Sequence, residues 1–196
     1  VAISETVPRG FYCDPKKRIT LNFYKNSSIH CYFIPSIALL AVVHSLQKEE
    51  TEGAGTDFYD AVVREAVALR NILKFEFFFS PTPVFVNEIK KALEFFAGEK
   101  NWEELPRSEW LKGIENYFQD INDLSIYLCL MGDLLESYKT AAEYLQVISN
   151  TSADKKALLS KLIKHGEGLR EKGDLLFPES NSTQNYTNAL LLFENL

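Results

Sequence analysis

Few side chains in this sequence could do chemistry, and their spacing limits what they could do. His44 stands five residues before Glu49 in His44-Ser-Leu-Gln-Lys-Glu49. A histidine with a carboxylate at that distance is one arrangement for a general base and the group that orients it. Here the pair falls at the fraying end of an apolar helix and carries Glu rather than Asp, so a solvated pair is expected. His30 adjoins Cys31. Neighbouring side chains on a helix diverge, which is poor geometry for a nucleophile and its base, and a structural histidine is expected there. His165 sits in Lys164-His-Gly-Glu-Gly168, near a solvated helix end. No Cys-x-x-Cys and no His/Cys cluster offers ligand spacing, so neither a metal nor a cofactor is expected. Gly53-Ala-Gly55 lacks the Lys-Ser/Thr of a phosphate loop and is ringed by Glu49, Glu50, Glu52 and Asp57, which would repel a phosphate. Lys16-Lys17-Arg18 is the one compact basic cluster and reads as a solvated turn.

Glu76 is the odd residue. One heptad after Leu69, it falls on an apolar helical face among Phe75, Phe77, Phe78 and Phe79. A buried carboxylate has to be paired or protonated. The expectation is a pair with Lys25 or His30 that ties two helices together. The alternative is that the helix ends earlier and leaves Glu76 exposed.

The elements that position these groups are bounded by composition. The chain has 196 residues, 46% apolar and 24% charged, with a mean hydropathy of -0.14. That length allows one large domain or two small ones, and the composition is globular. Such a chain can bury a core without disulfides or a metal. Its 21 basic and 27 acidic residues leave a net charge of -6, which disfavours a broad nucleic-acid face. Cys13, Cys31 and Cys129 are odd in number and read as free or buried thiols. Asn26-Ser-Ser, Asn150-Thr-Ser, Asn181-Ser-Thr and Asn185-Tyr-Thr match the glycosylation sequon, and are read as chance matches. The longest apolar stretch, Ile29 to Val43, is shorter than the roughly 20 residues a spanning helix needs, while peripheral contact with lipid stays open. The chain opens Val-Ala-Ile-Ser-Glu-Thr without Met and ends in the apolar run Leu190-Leu-Leu-Phe-Glu-Asn-Leu196, so a piece of a longer protein is expected.

Periodicity predicts an all-α domain over 1–196 with several helices. Phe11-Tyr-Cys13 and Ile19-Thr-Leu-Asn-Phe23 flank a turn at 14–18 and are expected to pair as a short N-terminal β-hairpin. Ser27 and Ser28 precede a helix over Ile29 to Gln47, which Pro35 kinks or restarts. Asp57 caps a second helix whose apolar face is Val62, Ala66, Leu69 and Leu73. Ser80-Pro-Thr-Pro83 separates it from a third, with Phe85, Ile89, Leu93 and Phe96 on one side and Gly98 as its stop. After a connector a helix begins near Glu109. The steps from Leu124 through Leu128, Met131, Leu135, Tyr138, Ala142 and Leu145 alternate 4 and 3, predicting one long amphipathic helix over about 122–149. A helix from Asp154 to Lys172 stops at Gly173, and Ser180 to Ser182 cap a last one.

Four stretches carry a family resemblance. Leu21-Asn-Phe-Tyr-Lys-Asn-Ser-Ser-Ile-His30, with the apolar helix and Pro35 behind it, resembles a signature in the C-terminal region of glycerol-3-phosphate and dihydroxyacetone-phosphate acyltransferases. The residues that carry it are Tyr24, Lys25, Asn26 and His30. Leu69 to Phe79, an apolar run around Glu76, resembles that family's second C-terminal signature. Leu134-Leu-Glu-Ser-Tyr-Lys139, with Tyr138, resembles the long helix that follows, and Gly166 to Phe193, with Asn188-Ala-Leu190, its closing segment. The four occur in the family's order and cover most of the chain.

The resemblance implies a C-terminal helical domain of a membrane-associated enzyme of glycerolipid synthesis. Such enzymes move an acyl group from acyl-CoA or acyl carrier protein to the 1-hydroxyl of glycerol 3-phosphate. Their chemistry rests on a His-x-x-x-x-Asp pair and on phosphate-binding arginines in a block with Glu-Gly and Arg. Neither is expected here, so the chain is assigned no catalytic residue. Tyr24, Lys25, Asn26, His30, Glu76 and Tyr138 are expected to be structural. The implied partners are an upstream acyltransferase domain of the same chain and, through it, the cytoplasmic face of a membrane. A stand-alone interaction module and an apolar-ligand carrier are the competing expectations.

Overall fold

The computed structural model describes residues 14, 17, 21, 24, 25, 27–48, 58–97, 103, 107–118, 121–148 and 154–195, with the backbone of 2–3 and 11–12. The class is all-α. Eight α-helices follow one another among the described residues: α1 (Phe33–Lys48), α2 (Phe58–Ile72), α3 (Thr82–Ala97), α4 (Arg107–Tyr117), α5 (Ile121–Cys129), α6 (Gly132–Val147), α7 (Lys155–Lys172) and α8 (Thr183–Glu194). Short 3-10 turns at Ile29–Cys31 and Pro178–Ser180 lead into α1 and α8.

The core grows outward from α1. Ile37, Ala38, Leu39, Ala41 and Val42 are all buried, so this helix is apolar on nearly every side and is wrapped by its neighbours. It packs on α2 and α3. Pro35 sits in its first turn, where a missing N–H costs nothing, so it starts the helix rather than kinking it. The expected faces of α2 and α3 turn inward: Val62 and Ala66 are buried on α2, Leu69 is partly buried and Leu73 is buried just past the helix end, while Phe85, Ile89, Leu93 and Phe96 are buried on α3. Trp110 from α4 closes this layer with its ring edge against Phe58, the centroids 5.1 Å apart.

A second, smaller cluster holds Tyr138, Ala141, Leu162, Tyr186, Ala189 and Leu192. The helix α6 bridges the two, since Leu134 belongs to the first cluster, with Met131 just before the helix, and Tyr138 and Ala141 to the second. Gly173, at φ 78°, ends α7 with its N–H and that of Asp174 bonded back to Arg170 O and Leu169 O. Ser182 caps α8, its hydroxyl accepting from the Asn185 N–H.

Two expectations are corrected. The single helix over about 122–149 is two helices, α5 and α6, with a turn at Leu130 and Met131. Glycine weakens the helix there, and the Phe177 ring fills the space beside it: a Cβ on Gly132 would lie 2.2 Å from Phe177 Cζ. The expected hairpin is not formed. Phe11–Tyr12 instead makes a two-residue antiparallel ladder with Ala2–Ile3, and Leu21 is helical. Between the two expected strands the Lys17 N–H bonds Asp14 O at 2.8 Å, and residues 13, 19, 20, 22 and 23 of those strands lie outside the described residues.

Candidate functional site

All four stretches that carry the resemblance meet at one polar cluster around the first half of α6. Asp133 follows the glycine that opens this helix, and its side chain is 3% exposed. Lys25 Nζ donates to its Oδ1 at 2.6 Å. One turn along, Ser137 Oγ lies 2.6 Å from Asp133 O and from Ser180 O, and accepts from Asn185 Nδ2 at 3.0 Å. The Tyr138 hydroxyl donates to Glu76 Oε1 at 2.9 Å. Asn188 on α8 bonds the Glu76 side chain as well, reaches Phe75 O at 3.4 Å, and accepts from Gln184 Nε2 at 3.1 Å. Each of these groups thus finds a partner from a distant stretch, which fixes how those stretches sit together.

Glu76 is where the expectation is corrected. The helix α2 ends at Ile72, and Leu73 to Glu76 form a turn in which the Glu76 N–H bonds Leu73 O at 2.9 Å. The helix does end early, yet Glu76 still points inward. Its partners are Tyr138 and Asn188 rather than Lys25 or His30, because Lys25 is taken by Asp133 and His30 faces solvent. Burial pushes the Glu76 carboxyl above its ordinary range, and the nearby Asp133 carboxylate adds to this. The hydrogen bonds from Tyr138 and Asn188 only partly offset them. Burial and the Glu76 charge both drive Tyr138 upward, so it remains the donor.

A dependence of stability on pH follows from that shift. A carboxyl whose folded-state pKa is raised contributes most below its unfolded value, and the contribution is lost as pH rises through the folded value. Glu76→Gln holds the group neutral and keeps a carbonyl for the Tyr138 hydroxyl. The variant should therefore melt higher than the parent at pH 8, and the gap should close on descent to pH 5. Melting curves that run parallel at both pH values would rule out a strained carboxylate.

The remaining candidates are dispersed. His44 Nδ1 lies 2.8 Å from Glu65 Oε2, and Lys48 Nζ bonds the other oxygen at 2.7 Å. This is an exposed clasp between α1 and α2, and Glu49 lies outside the described residues. Burial pushes the Glu65 carboxyl up, and the bonds from Lys48 and His44 outweigh it and bring it below its usual range. His165 packs against Tyr144, ring centroids 4.9 Å apart. Tyr24 is exposed, and Asn26 lies outside the described residues. Cys31 and Cys129 are exposed free thiols. Among the described residues no group of three His, Cys, Asp or Glu could hold a metal. One stretch, Glu167-Gly168-Leu169-Arg170, does spell Glu-Gly-x-Arg, against the expectation that no such block occurs. It runs along α7 as continuous helix with Glu167 and Arg170 both exposed, so no loop gathers arginines around an anion.

Asp133, Ser137 and Asn185 join the cluster without having been expected there. Two of them carry a signal in the sequence: Asp133 and Ser137 fall one turn apart beside Leu134 and Tyr138, as polar interruptions of an apolar face. Beside the cluster, Lys25 also lines an open groove of about 580 Å³ whose walls are Tyr32, Tyr117, Phe118 and Tyr127.

The chain has known relatives. The family model for the glycerol-3-phosphate acyltransferase C-terminal region matches residues 3–196. The chain is similar to the putative acyltransferase plsB1 of Mycobacterium bovis, 25% identical over 170 residues, which is 87% of this chain and 26% of that protein. Proteins of the same name from two Mycobacterium tuberculosis strains match to the same extent. The chain thus spans about a quarter of the length of these curated relatives. No solved structure matches it.

Proposed function

The chain belongs to the family of glycerol-3-phosphate acyltransferase C-terminal regions, and from that premise we propose that it is the non-catalytic helical part of a glycerol-3-phosphate 1-O-acyltransferase. The reaction passes a fatty acyl group from acyl-CoA or acyl carrier protein to glycerol 3-phosphate, the first step of phospholipid synthesis. A histidine in an upstream acyltransferase domain takes the proton of the 1-hydroxyl as its oxygen attacks the thioester carbonyl. The thiolate leaves and is reprotonated.

In this reading the chain packs on that domain and holds its pocket in shape. Misplacement of reacting groups by about 1 Å costs on the order of a hundredfold in rate, so a region without catalytic groups still governs activity. The carrying observation is the family match over 3–196. What supports the non-catalytic role is the setting of the histidines: His30, His44 and His165 are all exposed. His44 is clasped by Glu65, which Lys48 also engages.

The same reading sets the enzyme at the cytoplasmic face of a membrane as a peripheral protein, with no nucleic-acid partner. Among the described residues no helix is long and apolar enough to cross a membrane. The net charge of -6 works against electrostatic adhesion of this region to anionic lipid. Acyl transfer by the purified chain alone is the test, and none is expected.

A further inference from the structure

Tyr138 also lines a second groove, of about 620 Å³. That is within the roughly 300–1,000 Å³ of small-molecule sites. Leu135, Tyr138 and Ala142 line it from one face of α6, together with Ile72, Leu192 and Phe193. The Tyr138 hydroxyl is already engaged by Glu76 at 2.9 Å. The lining is largely apolar, with the exposed Asn71 as a polar member beside the lysines.

The rim has one sign of charge. Lys74 and Lys139 both line the groove. Lys74 Nζ stands 5.1 Å from the centroid of the Phe75 ring. Among the described residues Lys139 pairs loosely with Glu143, at 3.8 Å between highly exposed side chains. Two cations over an apolar trough stand out on a chain whose net charge is -6. A large anionic surface would meet the rest of that negative charge, whereas a single small head meets the lysines alone.

We propose that this groove binds a single-chain anionic lipid, a long-chain fatty carboxylate, with its tail along Leu135, Tyr138 and Ala142 and its carboxylate between Lys74 and Lys139. The lysine stems extend the apolar wall while their ammonium groups reach the head. The proposal stands apart from the acyl-transfer reading, since neither the ligand nor the site requires a reaction.

The experiment is a fluorescence titration of the purified chain with dansyl-undecanoate, followed by displacement with oleate and with methyl oleate. Saturable one-site binding in the micromolar range is expected, reversed by oleate at least tenfold more effectively than by its methyl ester. Ala142→Trp fills the trough and should weaken binding tenfold or more. The double variant Lys74→Glu, Lys139→Glu changes only exposed side chains and should weaken it by a similar factor, with less salt sensitivity than the parent. Helical circular dichroism checks that each variant is folded. Several results would overturn the proposal: no saturable binding, equal displacement by ester and acid, or unchanged affinity in both variants. Binding seen only with phosphatidylglycerol vesicles, or only with an acidic carrier protein, would overturn it too and identify a surface of another kind.

Discussion

Lys25→Met should destabilise the fold by about 2–4 kcal/mol, one of the largest losses from a single side chain at the site. The reason is what the substitution leaves behind. Asp133 is 3% exposed, and Lys25, 26% exposed, donates to it at 2.6 Å. Without that ammonium a carboxylate stays in the protein interior, within electrostatic reach of Glu76. The expected loss sits below the about 3–5 kcal/mol of a fully buried pair because the lysine side remains partly hydrated. The same asymmetry makes the reverse change mild. Asp133→Asn removes the charge and frees Lys25 to turn toward water, and about 1 kcal/mol is expected. Urea unfolding of the two variants gives the comparison. Equal small losses would mean that the pair behaves as a surface ion pair, and that the N-terminal stretch is not held by it.

The second large effect lies at the contact between α7 and α8. Gly166 is buried, and a Cβ there would stand 2.3 Å from Asn181 Oδ1 and 2.5 Å from the Tyr186 hydroxyl. Tyr186 is fully buried and cannot swing clear, so Gly166→Ala has to push the helices apart. Overpacking of this kind costs about 1–3 kcal/mol, against about 1 kcal/mol that alanine returns in helix propensity. A net loss of about 1 kcal/mol is expected where exposed helix would gain. Among the described residues the Tyr186 hydroxyl has no hydrogen-bond partner, and burial, with the Glu136 carboxylate, pushes its pKa up to about 12. Tyr186→Phe should therefore cost little alone, and it removes one of the three atoms within 3 Å that the added methyl group would strike, the other two belonging to Asn181. A double-mutant cycle should show about 1 kcal/mol of relief in the combined variant. Additive losses would place the strain at Asn181 alone, and a stabilised Gly166→Ala would show that the helices are not in close contact.

The elements legible in the sequence are those whose signal is local. The buried faces of α2 and α3 follow from apolar spacing, since Phe85, Ile89, Leu93 and Phe96 all end in the core. Pro35, Gly173 and Ser182 mark boundaries because each acts through its own backbone or first-turn bonds. The break between α5 and α6 is hidden because Met131 stays buried in the turn, so the spacing of 4 and 3 runs straight through it. The Phe177 ring, remote in sequence, packs against Gly132 at this break, a contact that spacing cannot reveal. The cluster is half legible for the same reason. Lys25, Glu76 and Tyr138 stand out as members of recognisable stretches, but which of them pair depends on the path of the whole chain. The phenylalanine neighbours of Glu76 suggest a helix, when a turn carries it to Tyr138 instead.

A division of labour is central to the proposed function: this chain shapes and supports, and the acyl-transfer groups lie elsewhere. The most direct test gives the purified, folded chain an acyl-CoA and glycerol 3-phosphate labelled in its carbon skeleton, and follows labelled lysophosphatidate and free CoA thiol together. Neither should rise above the enzyme-free rate, with transfer appearing only when a catalytic acyltransferase domain is joined to the chain. Transfer by the chain alone, abolished by His44→Ala, would contradict it.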